Sequence, residues 1–180
     1  MLVIRDEQCD YERSFQVLEI PATFASAGDL RAMADSDARF DAVAAPVGFG
    51  GNKPRVGRSE WLDRCRAARR LIQPEGVLLV GFSNRWDVRR KIRSQASSVG
   101  EMRSILLELG FRSIRFFGAV PEPLAPEYIF PLQPRSLGFV LDQRYRHKLP
   151  QLVLSLAHTR AAHFLLNFMP FYYAVALAGE

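Results

Sequence analysis

Three histidines are the obvious candidates for acid–base chemistry in this chain, and their spacing keeps them apart. His158 and His163 lie five residues apart in an apolar-rich stretch. That misses the four-residue interval placing two ligands on one helix face, so no metal site is expected. His147 stands in Arg144-Tyr145-Arg146-His147-Lys148. A basic surface turn is the default there, but imidazole is the side chain best suited to general-base work at neutral pH, so His147 is the candidate catalytic residue. Cys9 and Cys65 have no evident base partner in the sequence. Gly48-Phe49-Gly50-Gly51-Asn52-Lys53-Pro54 is the most loop-like segment. A phosphate-cradling loop needs Ser or Thr after its lysine, and here Pro54 follows Lys53. The Gly-x-Ser-x-Gly pattern of a nucleophile elbow does not occur. Arg85, Arg89, Arg90, Lys91 and Arg93 are suited to phosphates, and Trp86 to stacking on a base or sugar.

The elements that must position these groups alternate between strand and helix. Residues 2–4 start a short apolar run, and Phe15–Ile20 and Ala22–Ala25 lean towards strand, divided by Pro21. Leu30–Ala34 reads as a turn or short helix, and Phe40–Ala45 as a buried strand. Trp61, Leu62, Cys65, Ala68 and Leu71 recur at helical spacing after Ser59, which predicts a helix to about Ile72. Pro74-Glu75-Gly76 turns the chain into Val77–Phe82, an apolar run suited to a strand covered on both faces. Ser98 caps a second amphipathic helix that stops at Gly110, and Ser113–Phe117 is the next strand. Prolines 121, 123, 126, 131 and 134 space out an irregular segment. Leu149–Met169 then reads as one helix and Phe171–Ala178 as a terminal strand.

With 180 residues, 48% hydrophobic and 24% charged, the chain is expected to be one globular domain over residues 1–180, with a Pro-rich insertion and helix at about 119–170. The two cysteines point to a reduced, cytoplasmic setting. The apolar run at residues 1–4 is too short for a secretory segment, and the C-terminal stretch is interrupted by His158, Arg160, His163 and Asn167, so no membrane span is expected. The net charge of +5 is read mainly as solvated arginine-rich helix faces, with an RNA-binding module as an alternative.

Three pieces, in order, resemble the class I S-adenosylmethionine-dependent methyltransferases. Ala27-Gly28-Asp29-Leu30-Arg31-Ala32-Met33 followed by Phe40-Asp41-Ala42-Val43 is similar to that family's third strand leading into its fourth. Ala67–Val80, with its Leu71-Ile72-Gln73-Pro74-Glu75-Gly76 turn, is similar to the approach to the fifth strand. Leu109-Gly110-Phe111-Arg112-Ser113-Ile114 is similar to the start of the sixth. The resemblance implies a Rossmann-like α/β sheet, mostly parallel, with an antiparallel C-terminal strand and a shortened N-terminal part. It implies S-adenosylmethionine as cofactor and a small-molecule or sugar-containing methyl acceptor.

The resemblance also implies roles. Asp29 would accept the adenine amino group, and Leu30 would pack the ring. Pro46, Val47, Gly48 and Phe49 would line the methyl-transfer site, as ligands of open α/β sheets sit at the carboxyl ends of strands. Glu19 matches the ribose-binding acid, and Asn84, Arg85 and Trp86 would face the substrate. No glycine precedes Gly28, so the family's glycine-rich turn after its first strand has no counterpart. Residues 2–4, another chain or nothing would fill that strand's place. An open edge there would make the chain part of a homo- or hetero-oligomer, and a catalytically incomplete scaffold subunit is the alternative function.

Overall fold

The computed structural model describes residues 1–5, 11–49, 58–84, 96–120, 126–147, 150–167 and 169–179. From the amino end run β1 (Leu2–Arg5), α1 (Tyr11–Val17), β2 (Thr23–Ser26), α2 (Leu30–Ala34), β3 (Phe40–Ala45), α3 (Arg58–Leu71) and β4 (Ile72–Asn84). Then come β5 (Ala96–Ser97), α4 (Val99–Glu108), β6 (Phe111–Val120), β7 (Tyr128–Pro131), α5 (Pro134–Tyr145), α6 (Gln151–Ala157), α7 (Ala162–Leu166) and β8 (Phe171–Ala178).

The strands form one sheet in the order β2-β1-β3-β4-β8-β6-β7, with β5 appended to β4. β2, β1, β3 and β4 are mutually parallel. β8 enters between β4 and β6 and runs antiparallel to both. A final antiparallel strand between two strands that share the sheet's main direction is the arrangement the resemblance implies. The fold is a Rossmann-like, methyltransferase-type α/β sheet. The strand slot left open by the missing family strand is taken by β1. Its Leu2 and Val3 pair with Val43 and Ala44 of β3, while all four of its residues pair with β2.

Period-two alternation divides the sheet's two faces. Leu78, Val80 and Phe82 of β4 and Tyr172, Ala174 and Ala176 of β8 join the main core. That core is closed by side chains such as Leu30 (α2), Trp61 and Cys65 (α3), Leu106 (α4) and Leu137 (α5). The opposite face carries a small cluster of Ala119, Phe171 and Tyr173, with Leu79 and Phe117 against it. Burial pushes the Cys65 thiol far above its ordinary range, which marks it as a packing residue.

Several sequence expectations change. Tyr11–Val17 is helical where Phe15–Ile20 leaned towards strand, and the Phe15 ring meets Phe24 of β2 edge-on at 5.8 Å between centroids. Tertiary packing of one aromatic has outweighed local propensity. The irregular Pro-rich segment contains β7 and α5. Pro134 opens α5 in its first turn, where a missing N–H is harmless. The single helix expected over 149–169 is two, because the chain turns at His158–Ala161 between α6 and α7.

Other expectations stand. Ser98 caps α4, its side chain accepting the Glu101 N–H at 3.1 Å. Gly110 ends that helix at φ +80°. One differs: the strand expected from Val77 after a turn at Pro74–Gly76 already starts at Ile72, and Gln73–Gly76 form an irregularity in its ladder with β3 between Phe40↔Ile72 and Ala42↔Val77. No described helix is long and apolar enough to cross a membrane.

Candidate functional site

The parallel strands β2, β3 and β4 end on one edge of the sheet, and that edge carries most of the sequence-predicted site residues. At the tip of β2, Asp29 closes a tight turn on Ser26. Its Oδ2 accepts the Ser26 N–H at 3.0 Å and the Ser26 hydroxyl at 2.7 Å. The Ser26 hydroxyl, then its backbone N–H, hold the Asp29 carboxyl below its ordinary value, so it is an anion at neutral pH. Asp29 is exposed, and both of these bonds use Oδ2 rather than Oδ1. Leu30, one residue on, is fully buried in the main core. It supports the turn from beneath.

The tip of β3 is shaped by two close backbone approaches. Gly48 turns at φ +83° and donates its N–H to Ala45 O at 2.8 Å. A Cβ on Gly81 of β4 would stand 1.9 Å from Pro46 O, and one on Gly48 would stand 2.7 Å from Gly81 O. The loop therefore rests on bare glycine backbone of its neighbour, which fixes Pro46–Gly48 at the carboxyl edge. β1 alone separates β2 from β3, so the two strands whose tips carry Asp29 and Gly48 run about 10 Å apart. Phe49 is fully buried, and Arg64 of α3 donates to its carbonyl while also pairing with Glu60 at 2.5 Å.

Asn84 ends β4 and is 3% exposed. Its amide nitrogen donates towards Asn167 O at 2.5 Å, Met169 O at 2.7 Å and the Tyr172 hydroxyl at 3.1 Å. Its backbone N–H reaches Pro170 O at 3.0 Å. The Tyr172 hydroxyl donates onward to Leu166 O at 2.7 Å, and burial pushes its pKa well up, so it stays a neutral donor. The expected substrate contact is thus turned inward, onto the connection from α7 to β8. Arg85 and Trp86, and the arginines that follow them, lie outside the described residues, as do Gly50–Pro54 and Cys9.

Two candidates stand elsewhere. Glu19 sits in the α1–β2 connection at φ +54°, near Pro21, whose carbonyl approaches the N-terminal amine at 3.4 Å. That is the amino end of β2, across the sheet from Asp29. His147 is exposed just after α5, on a cleft of about 640 Å³ shared with Asp142, Arg146, Gln151, Ser155 and His158. None of Asp29, Pro46, Gly48 or Asn84 lines that cleft. Among the described residues no group of three His, Cys, Asp or Glu side chains forms a metal cluster.

Sequence reading missed the buried polar side chains of Ser83 and Ser97 at the β4 tip, 5% and 3% exposed, and the clamp formed by Asn84 and Tyr172. It also passed over Gly81. A lone glycine inside the apolar run Val77–Phe82 signals close backbone approach, and that signal was available.

No protein-family model and no curated protein matches this chain. Similar solved structures include a SAM-dependent methyltransferase from Archaeoglobus fulgidus (13% identity, 98% of this chain and 75% of that one, TM-score 0.49). Another is a SAM-dependent methyltransferase from Thermotoga maritima (12% identity, 92% and 69%, TM-score 0.44). A third is a magnesium protoporphyrin IX methyltransferase from Synechocystis with bound SAH (13% identity, 93% and 57%, TM-score 0.47). At these scores the fold assignment rests on the strand order and directions given above.

Proposed function

We infer that the chain is a methyltransferase-type domain that binds S-adenosylmethionine along the carboxyl edge of its parallel strands and passes the methyl group to a small-molecule acceptor. The observation that carries this reading is the Asp29 turn. An exposed carboxylate kept ionised by Ser26 just after β2, with both of those bonds on Oδ2, suits an adenine amino group. Pro46–Gly48, fixed against Gly81, then forms the floor nearest the transferring methyl. The sulfonium supplies the electrophile when bound. The protein's part is to hold it in line with the acceptor nucleophile, so proximity and orientation carry the rate. His147 lines the α5–α6 cleft, apart from Asp29, Pro46 and Gly48, so proton removal at this edge is not assigned to it.

A second reading, a methyltransferase-like subunit acting as a scaffold, draws on different facts. Leu30, Phe49 and Asn84 are committed to packing or internal hydrogen bonds, and β1 occupies the central slot. Thermal unfolding with and without S-adenosylhomocysteine separates the two. A ligand that binds only the folded state raises the midpoint by an amount that grows with its concentration. The enzyme reading expects that rise, and an unmoved midpoint supports the scaffold.

A further inference from the structure

Asn84 combines three properties that no other described residue shares: it ends the central parallel strand, it is buried, and its donors gather another segment's carbonyls. One residue meets Asn167 O, Met169 O, Pro170 O and the Tyr172 hydroxyl, and through Tyr172 it reaches Leu166 O. These groups belong to the return leg of the α5–α7 insertion, which leads into β8 beside the β4 tip. Apolar packing sets distance loosely, whereas converging donor–acceptor bonds set position.

We propose that Asn84 is a positioning residue: its amide fixes where the α7–β8 connection stands relative to the β4 tip, and so shapes the acceptor side of the carboxyl edge without touching a ligand. The functional half of this rests on the methyltransferase reading; the positional half does not. The chemistry needs an amide. Replacing the NH2 by a carboxylate oxygen keeps the shape but turns donors into an acceptor facing two carbonyls, while a protonated carboxyl restores one donor.

The test is hydrogen–deuterium exchange on the full chain for wild type, Asn84→Asp and Asn84→Ala, at several pH values, with S-adenosylhomocysteine binding measured alongside. At neutral pH both variants should exchange at least tenfold faster at amides in residues 162–167 and 169–172, while β1–β3 changes less than threefold. On acidification Asn84→Asp should recover part of its protection and Asn84→Ala none. Recovery in both variants, or in neither, overturns the proposal, as does exchange that rises equally across the whole sheet. If wild type binds no S-adenosylhomocysteine, the methyltransferase reading falls while the exchange pattern still decides the positioning role. If it binds, both variants should keep affinity within about threefold of wild type, because Asp29 and the β3 tip are untouched; a larger loss overturns the acceptor-side assignment.

Discussion

At the scale of single residues, the carboxyl edge is set by one anion and one absent side chain. Asp29 is held ionised by Ser26, and the sign of its effect on stability follows from that. A carboxyl whose folded-state value is depressed stabilises the fold above its unfolded value, here the ordinary 3.8, and that contribution is lost as pH falls through the folded value. Melts of wild type and Asp29→Asn from pH 7 downward should therefore show a difference at neutrality that shrinks once the pH passes below 3.8. A difference constant with pH contradicts the assignment. Gly81 is the absent side chain. Alanine there would put a Cβ 1.9 Å from Pro46 O, so the β3 tip must move. Overpacking of this kind costs about 1–3 kcal/mol, read as a lowered urea midpoint. Asp29 was legible in the sequence because Gly-Asp follows a strand and precedes a helix. The inward turn of Asn84 was not, because its partners lie more than 80 residues away.

Elements were legible where local signals agreed. α4 shows this: Ser98 before Val99-Gly100-Glu101 is a capping pattern, Met102, Ile105 and Leu106 make the apolar stripe, and Gly110 stops the helix. Ser98→Ala should cost about 1 kcal/mol by chemical denaturation, and a change near zero contradicts the cap. Where local signals conflicted, the sequence misled. Pro134 looked like a breaker and is a helix start. His158 sat inside an apolar run yet ends α6, its ring lying against Gly138 of α5 and its Nε2 2.9 Å from Asp142. That break depends on a neighbouring helix, so no periodicity within the run encodes it.

The whole molecule is a sheet whose one face holds nearly all of the core. Trp61, Leu78 and Leu106 belong to a single cluster that draws on every strand but β5 and on helices α2 to α5 and α7. Such a core should unfold as a unit. Cys65, fully buried with its thiol pKa pushed up, reports on it directly. In a Cys9→Ser variant, thiol labelling should proceed at the rate of global opening and quicken with denaturant along the unfolding curve. Rapid labelling under native conditions contradicts a core that is closed at α3. The strand order was legible as far as β3, β4, β6 and β8. The placement of β1 was one of three options the sequence left open, since a four-residue strand can pair at any vacant edge.

In the proposed function the carboxyl edge holds S-adenosylmethionine through Asp29. Calorimetric titration of wild type and Asp29→Ala tests it most directly. Losing a hydrogen bond to a charged group is worth about 1.5–3 kcal/mol, which converts to roughly a 10- to 150-fold weaker Kd. Wild type should bind saturably and Asp29→Ala should lose affinity by that amount, with the unliganded fold retained. No saturable heat from wild type, or equal affinity in the two proteins, contradicts it.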